Sequence, residues 1–294
     1  MKFLAALAQI GPTLGNVEAN FRIFERSVRQ AERKGAELLV FPELSLTGYF
    51  LKDMVPDVAE RTGGELVKRV AALSKDVALV VGFVEESPRH TFYNAGAYFE
   101  GGRLVHLHRK IYLPTYGLFD EHRYVGAGNR MRAFDTRFGR AAILVCEDAW
   151  HPSLAYVAAQ DGADFLFIPS ASPARGPHRR RKAPGAAPGR GPSLSIQRTW
   201  QSLNRAYAAA FNQYVFFANR VGYEDGIHFW GGSEIVGPSG EALAAAPLGK
   251  PRLAVGEVDT AEVRRSRVIS PTLRDENLHL VLRELRRIGS SGRD

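Results

Sequence analysis

The run from Arg140 to Trp150, RAAILVCEDAW, restricts the fold more than any other stretch. Its apolar core, Ala141 to Val145, is too short to declare a helix, and no polar residue alternates with it. Such a run predicts a strand covered on both faces, as in the centre of a parallel sheet flanked by helices. The strand leads directly into Cys146, the only cysteine in 294 residues, followed by two acids and Trp150. Open α/β folds place their chemistry at the carboxyl ends of such strands. Free cysteines more often pack than react, so on its own Cys146 reads as core.

The rest of the chain repeats the theme. Lys2 to Gln9 is strand-like, and Asn16 can cap a helix carrying Val17, Phe21, Phe24, Val28 and Ala31 on one face. Lys34 and Gly35 end that helix. Glu37 to Phe41 is a buried strand stopped by Pro42. A second amphipathic helix covers Gly64 to Lys75, and strands cover Val77 to Val84 and Phe92 to Phe99. Gly101 and Gly102 then turn a hairpin into Leu104 to His108. A helix from Pro152 to Gln160, a strand from Phe165 to Pro169 and a helix from Ile196 to Phe211 follow. Strands at Tyr214–Asn219, Gly232–Val236 and Arg252–Val258 close the series. Alternation of this kind predicts one α/β domain, residues 1–262, and then a polar tail, 263–294, with a helix around Arg274 to Arg287.

Charge excludes one class of function. The net charge is +8, but the two segments 174–192 and 264–294 together carry +10, leaving about −2 on the body. The body is therefore no basic nucleic-acid surface. The stretch 173–193 is rich in Arg, Pro and Gly and reads as a loop insertion, with a lid over an anionic substrate as the second reading. A single cysteine rules out a disulfide framework and fits a cytoplasmic protein. No stretch approaches the ~18 apolar residues that span a bilayer.

Three buried strands end in a polar residue of catalytic type: Glu43 after FP, Lys110 in HRKIYLP, and Cys146. A thiol attacking an amide or nitrile needs a base, a donor for the developing oxyanion and a dry pocket. These three side chains supply the first two. His106 and His108 share a strand face, but no third ligand accompanies them, so they read as structural rather than as metal ligands. Gly126 and Gly128 lack the context of a dinucleotide loop.

With those residues in view, the chain resembles the nitrilase superfamily of carbon–nitrogen hydrolases over nearly its whole length. FPELSLTGY is similar to the family's glutamate motif, HRKIYLPTYGLFDEHRYV to its lysine motif and LVCEDAWHP to its cysteine motif. The resemblance implies an α-β-β-α sandwich whose subunits pair into a homodimer or larger assembly. It implies Glu43 as general base, Cys146 as nucleophile, and Lys110 with the Glu147 N–H as oxyanion holders. Glu121 would orient substrate and Lys110. Tyr116, Glu147, Trp150 and Ser172 are the expected substrate contacts, and neither cofactor nor metal is expected. Two subfamilies compete. YGLFDEHRY, CEDAW and Ala171–Pro173 resemble the glutaminase part of glutamine-dependent NAD synthetase, whereas FWGGS resembles N-carbamoyl amidases. No SGGxDS loop follows, so the expectation is an amidase or stand-alone glutaminase, then a nitrilase. A non-catalytic protein that binds an acidic partner is the reading from another class.

Overall fold

The computed structural model describes residues 1–174 and 194–291, so nearly all of the insertion expected at 173–193 lies outside the described residues. In chain order the first strands are β1 (Lys2–Gln9), β2 (Ala36–Val40), β3 (Ala78–Glu86), β4 (Phe92–Glu100) and β5 (Arg103–Arg109). Next come β6 (Phe134–Thr136), β7 (Gly139–Ile143), β8 (Phe165–Ser170) and β9 (Tyr214–Asn219). The last are β10 (Val221–Glu224), β11 (Ile227–Trp230), β12 (Glu234–Val236), β13 (Ala242–Ala245) and β14 (Arg252–Asp259). The helices are α1 (Val17–Arg33), α2 (Val55–Val58), α3 (Glu65–Leu73), α4 (Pro152–Gln160), α5 (Ser195–Phe211), α6 (Thr260–Ile269) and α7 (Leu278–Ser290).

Among the described residues two six-stranded sheets result, in the orders β14-β1-β2-β3-β4-β5 and β13-β12-β9-β8-β7-β6, with β10 and β11 as a separate hairpin. In each, three central strands run parallel: β1, β2 and β3 in one, β7, β8 and β9 in the other. Parallel neighbours need long crossovers, and α1, α3, α4 and α5 provide them. The period-two pleat divides each strand of the first sheet between two cores. Leu7, Leu38, Val40 and Val80 face the second sheet, where they join Ile143, Phe167 and Phe216. Ala6, Ala8, Leu39, Phe41 and Leu79 face outward and meet Phe21, Phe24, Val28 and Val70 of α1 and α3. Trp200, Tyr207 and Ala208 of α5 belong with the second sheet. The layers are therefore α-β-β-α, as the motifs implied.

Local chemistry explains the boundaries. The Asn16 side chain accepts from the Ala19 N–H at the start of α1, and Gly35 follows with a φ of 72°. The short strands β6, β10, β11 and β13, three or four residues each, are not visible in the sequence pattern. The helix α6, absent from the sequence expectation, runs across the expected boundary between domain and tail at residues 262 and 263. Its cap is Asp259, the last residue of β14, which accepts from the Ala261 N–H. The late helix is present as α7, starting at Leu278 rather than at Arg274.

Candidate active site

Segments that follow two central strands and one edge strand carry the candidate residues. Glu43 follows β2, Lys110 follows β5, and Cys146 opens a short 3₁₀ turn, Cys146–Trp150, just after β7. Two glycines let these segments approach. A Cβ on Gly82 of β3 would lie 2.4 Å from the Leu44 nitrogen, and one on Gly96 of β4 would lie 2.7 Å from Ile143. Leu44 and Cys146 both adopt φ of 47° in the left-handed region, which side-chain-bearing residues enter at a cost.

Lys110 sits at the centre, fully buried. Its Nζ donates to Glu43 Oε1 at 2.7 Å and to Glu121 Oε1 at 2.6 Å. Glu43 also accepts from Asn94 Nδ2 at 2.8 Å and, through Oε2, from the Ala171 N–H at 2.9 Å. Three donors stand in for the water that a charged carboxylate loses on burial. Glu121 Oε1 accepts in addition from the Tyr49 hydroxyl.

The charges shift one another. Burial alone would lower the Lys110 ammonium, but the Glu121, Glu43 and Cys146 charges outweigh it and hold it well above its usual range. Burial raises Glu121 to about 7; Lys110 opposes the rise and Glu43 adds to it. Burial, reinforced by Glu43, pushes the Cys146 thiol well up, with Lys110 and the Ala171 N–H acting in the opposite sense. Cys146 is therefore held toward its thiol form, within electrostatic reach of both Glu43 and Lys110. An arrangement of this kind can pass a proton from sulfur to carboxylate while a fixed cation meets developing negative charge.

Asp148 welds two of these segments together. Its Oδ1 accepts from the Ile111 and Tyr112 N–H groups, both at 2.9 Å. Its Oδ2 accepts from the Val145 N–H at 3.1 Å and from His108 Nε2 at 2.8 Å. The lysine segment and the cysteine turn are thus held by one buried carboxylate. Glu224 does the same for Tyr49, accepting from the Tyr49 and Phe50 N–H groups at 2.7 and 2.8 Å while paired with Arg220 at 2.6 Å.

The other expected contacts occupy different surroundings. The Tyr116 hydroxyl, half-exposed, donates to Glu147 at 2.9 Å, and the Tyr116 ring meets Phe119 edge-on. Trp150 packs edge-on against Trp200. Ser172 Oγ accepts from both Trp200 Nε1 and Trp230 Nε1. His108 is bound to Asp148, and His106 stacks on Phe134, burial holding it down at about 4. Among the described residues no cluster of three or more His, Cys, Asp or Glu is placed to hold a metal ion, and no helix is long and apolar enough to cross a membrane.

Known proteins share this architecture. The family model described as carbon-nitrogen hydrolase matches residues 4–268. Glutamine-dependent NAD(+) synthetase of Thermotoga maritima is 30% identical over 91% of this chain and 44% of its own length. N-carbamoylputrescine amidase of Solanum lycopersicum is 28% identical over 86% of this chain and 85% of its own. The chain spans about half the length of the synthetases it matches. A carbon-nitrogen hydrolase from Helicobacter pylori G27 superposes with a TM-score of 0.83 at 26% identity, covering 97% of this chain and 99% of that one.

Proposed function

The chain belongs to the carbon-nitrogen hydrolase family of the nitrilase superfamily, and on that premise we propose that it cleaves a linear amide through a thioester on Cys146. One arrangement supports this reading: the buried Cys146 lies within electrostatic reach of both Lys110 and Glu43, and the Glu43 carboxylate is met by three donors. Such a thiol needs its proton removed during attack, and Glu43 is the base in place. Sulfur adds to the carbonyl carbon while its proton passes to Glu43. Lys110 Nζ and the Glu147 N–H take the oxyanion. Collapse breaks the C–N bond, and Glu43 returns the proton to the departing ammonia or amine. Water then attacks the thioester, giving its proton to Glu43, and the carboxylic acid leaves as Cys146 regains a proton.

Glu147 supports a narrower substrate class. Its carboxylate, oriented by Tyr116 at the rim, suits an amide that also carries an ammonium group. Glutamine and N-carbamoylputrescine, named for two groups of relatives, both carry one. A stand-alone glutaminase is the second reading, supported by the synthetase matches. The assembly proposed is a homodimer or larger.

Ammonia release across glutamine, N-carbamoyl amines, ω-amides, short aliphatic amides and nitriles tests the proposal, with Cys146→Ala as the blank. Turnover of at least one amide that disappears in the blank is expected. Silence across the panel, with Cys146 inert to iodoacetamide, would favour the non-catalytic binding protein.

A further inference from the structure

Glu121 spends only one of its carboxylate oxygens on protein groups. Oε1 accepts from Lys110 and Tyr49, whereas Oε2 is buried and meets no donor among the described residues. Asn94 is divided in the same way: Nδ2 donates to Glu43, and the buried Oδ1 meets no donor. Turning the Asn94 amide over would not help, because its oxygen would then face Glu43 Oε1, itself an acceptor.

Both residues line one cavity of about 50 Å³, whose walls also include Tyr49, Lys52 and Tyr124 beside apolar residues such as Val84 and Val125. Buried acceptors without donors are costly, and natural proteins satisfy nearly all of them. The occupant must donate two hydrogen bonds and be very small. A single water needs about 10–15 Å³ and carries two O–H groups.

We propose that this cavity binds one water molecule, which donates to Asn94 Oδ1 and Glu121 Oε2 and holds Glu121 as a carboxylate beside Lys110. The site itself follows from cavity and acceptors; its catalytic relevance rests on the reading of Lys110 given above. The water ties the carboxylate that flanks Lys110 to the amide that fixes Glu43. It thus couples both of the cation's partners through one ligand.

The test uses the intact protein and no substrate. A crystal structure that resolves ordered solvent should show a peak within hydrogen-bond reach of both oxygens. Val125→Leu, and independently Val84→Ile, add a methylene at the wall and should expel it. The pH dependence of Cys146 alkylation by iodoacetamide, followed in the same variants, should then show the Glu121 inflection moved upward by about one unit. Direct contact between Asn94 Oδ1 and Glu121 Oε2, with no peak between them, would overturn the site, since a shared proton would replace the water. A peak whose loss leaves the inflection in place would overturn its role. Neither outcome depends on finding a hydrolysed amide, so failure here is separable from failure of the proposed reaction.

Discussion

Lys110 and Glu43 meet through a 2.7 Å hydrogen bond at a place where neither side chain is exposed to solvent. A buried pair of this kind contributes little net stability, but losing one member strands the other. Glu121 shares the same ammonium, so two carboxylates depend on one cation.

Lys110→Met keeps much of the stem and removes that cation. Loss of one oxyanion donor costs roughly 2.7–4 kcal/mol in the transition state. We expect kcat to fall at least about a hundredfold by steady-state assay, and the thermal midpoint to drop as Glu43 and Glu121 face each other without a counter-ion. Unchanged kcat would restrict Lys110 to a structural role.

Cys146→Ala should abolish turnover and leave circular dichroism unchanged, because only a sulfur is trimmed from a packed turn. Cys146→Ser should be nearly as inactive, since a hydroxyl is harder to deprotonate than a thiol. Backbone strain supplies a second readout. At φ of 47°, glycine relieves a conformation that alanine does not. Cys146→Gly should therefore melt at or above the temperature of Cys146→Ala.

Glu121 links stability and activity with opposite signs. Its folded-state value of about 7 stands above the usual 4.5, so the folded protein holds this proton longer than the unfolded chain. Its stability contribution is fully present below about 4.5 and is lost as pH rises through about 7. The proposed mechanism uses the ionised form beside Lys110, so kcat/KM should rise through an inflection at about 7. Glu121→Gln should flatten both curves. A variant that retains both would assign the inflection to another group.

How much of this is legible in the sequence differs by residue. Glu43 and Cys146 each follow an apolar strand, a local feature that a pattern can show, whereas Lys110 follows the edge strand β5, which is mostly half-buried or exposed rather than the buried strand expected. Asn94 and Asp148 are not visible in that way. Asn94 is one polar residue in an alternating strand, and its partner Glu43 lies 51 positions away. Asp148 passes as the second of two acids, although it accepts four hydrogen bonds in the folded chain. Ser172 is readable as a residue beside the site but not as the acceptor of two indoles, because Trp200 and Trp230 arrive from distant elements. The parallel strands are legible from continuous hydrophobicity. The short strands β6, β10, β11 and β13 are not, since they owe their existence to neighbours rather than to their own composition.

The C-terminal helix predicts assembly. α7 buries no residue, and Leu278, Leu280, Leu282, Leu285 and Ile288 are all at least 40% exposed, as are Val268 and Ile269 at the end of α6. Light scattering at micromolar concentration should report a dimer or larger. Leu282→Asp together with Leu285→Asp should lower that mass while leaving the secondary structure in place. A wild-type monomer would refute a homo-oligomer.

The proposed pairing of Glu147 with a substrate ammonium group has a test that separates charge from packing. Its carboxylate accepts from the Tyr116 hydroxyl at 2.9 and 3.1 Å, which fixes its direction without neutralising it. Glu147→Gln keeps the shape and the tyrosine contact and removes only the charge. A hydrogen bond to a charged partner contributes about 1.5–3 kcal/mol, so KM for an ammonium-bearing amide should rise at least about tenfold. kcat should change little, because the pairing is equally present in the ground and transition states. A neutral aliphatic amide should keep its KM in the same variant, and added salt should weaken only the cationic substrate. Equal losses on both substrates would mean that Glu147 shapes the turn around Cys146 and recognises no ammonium group.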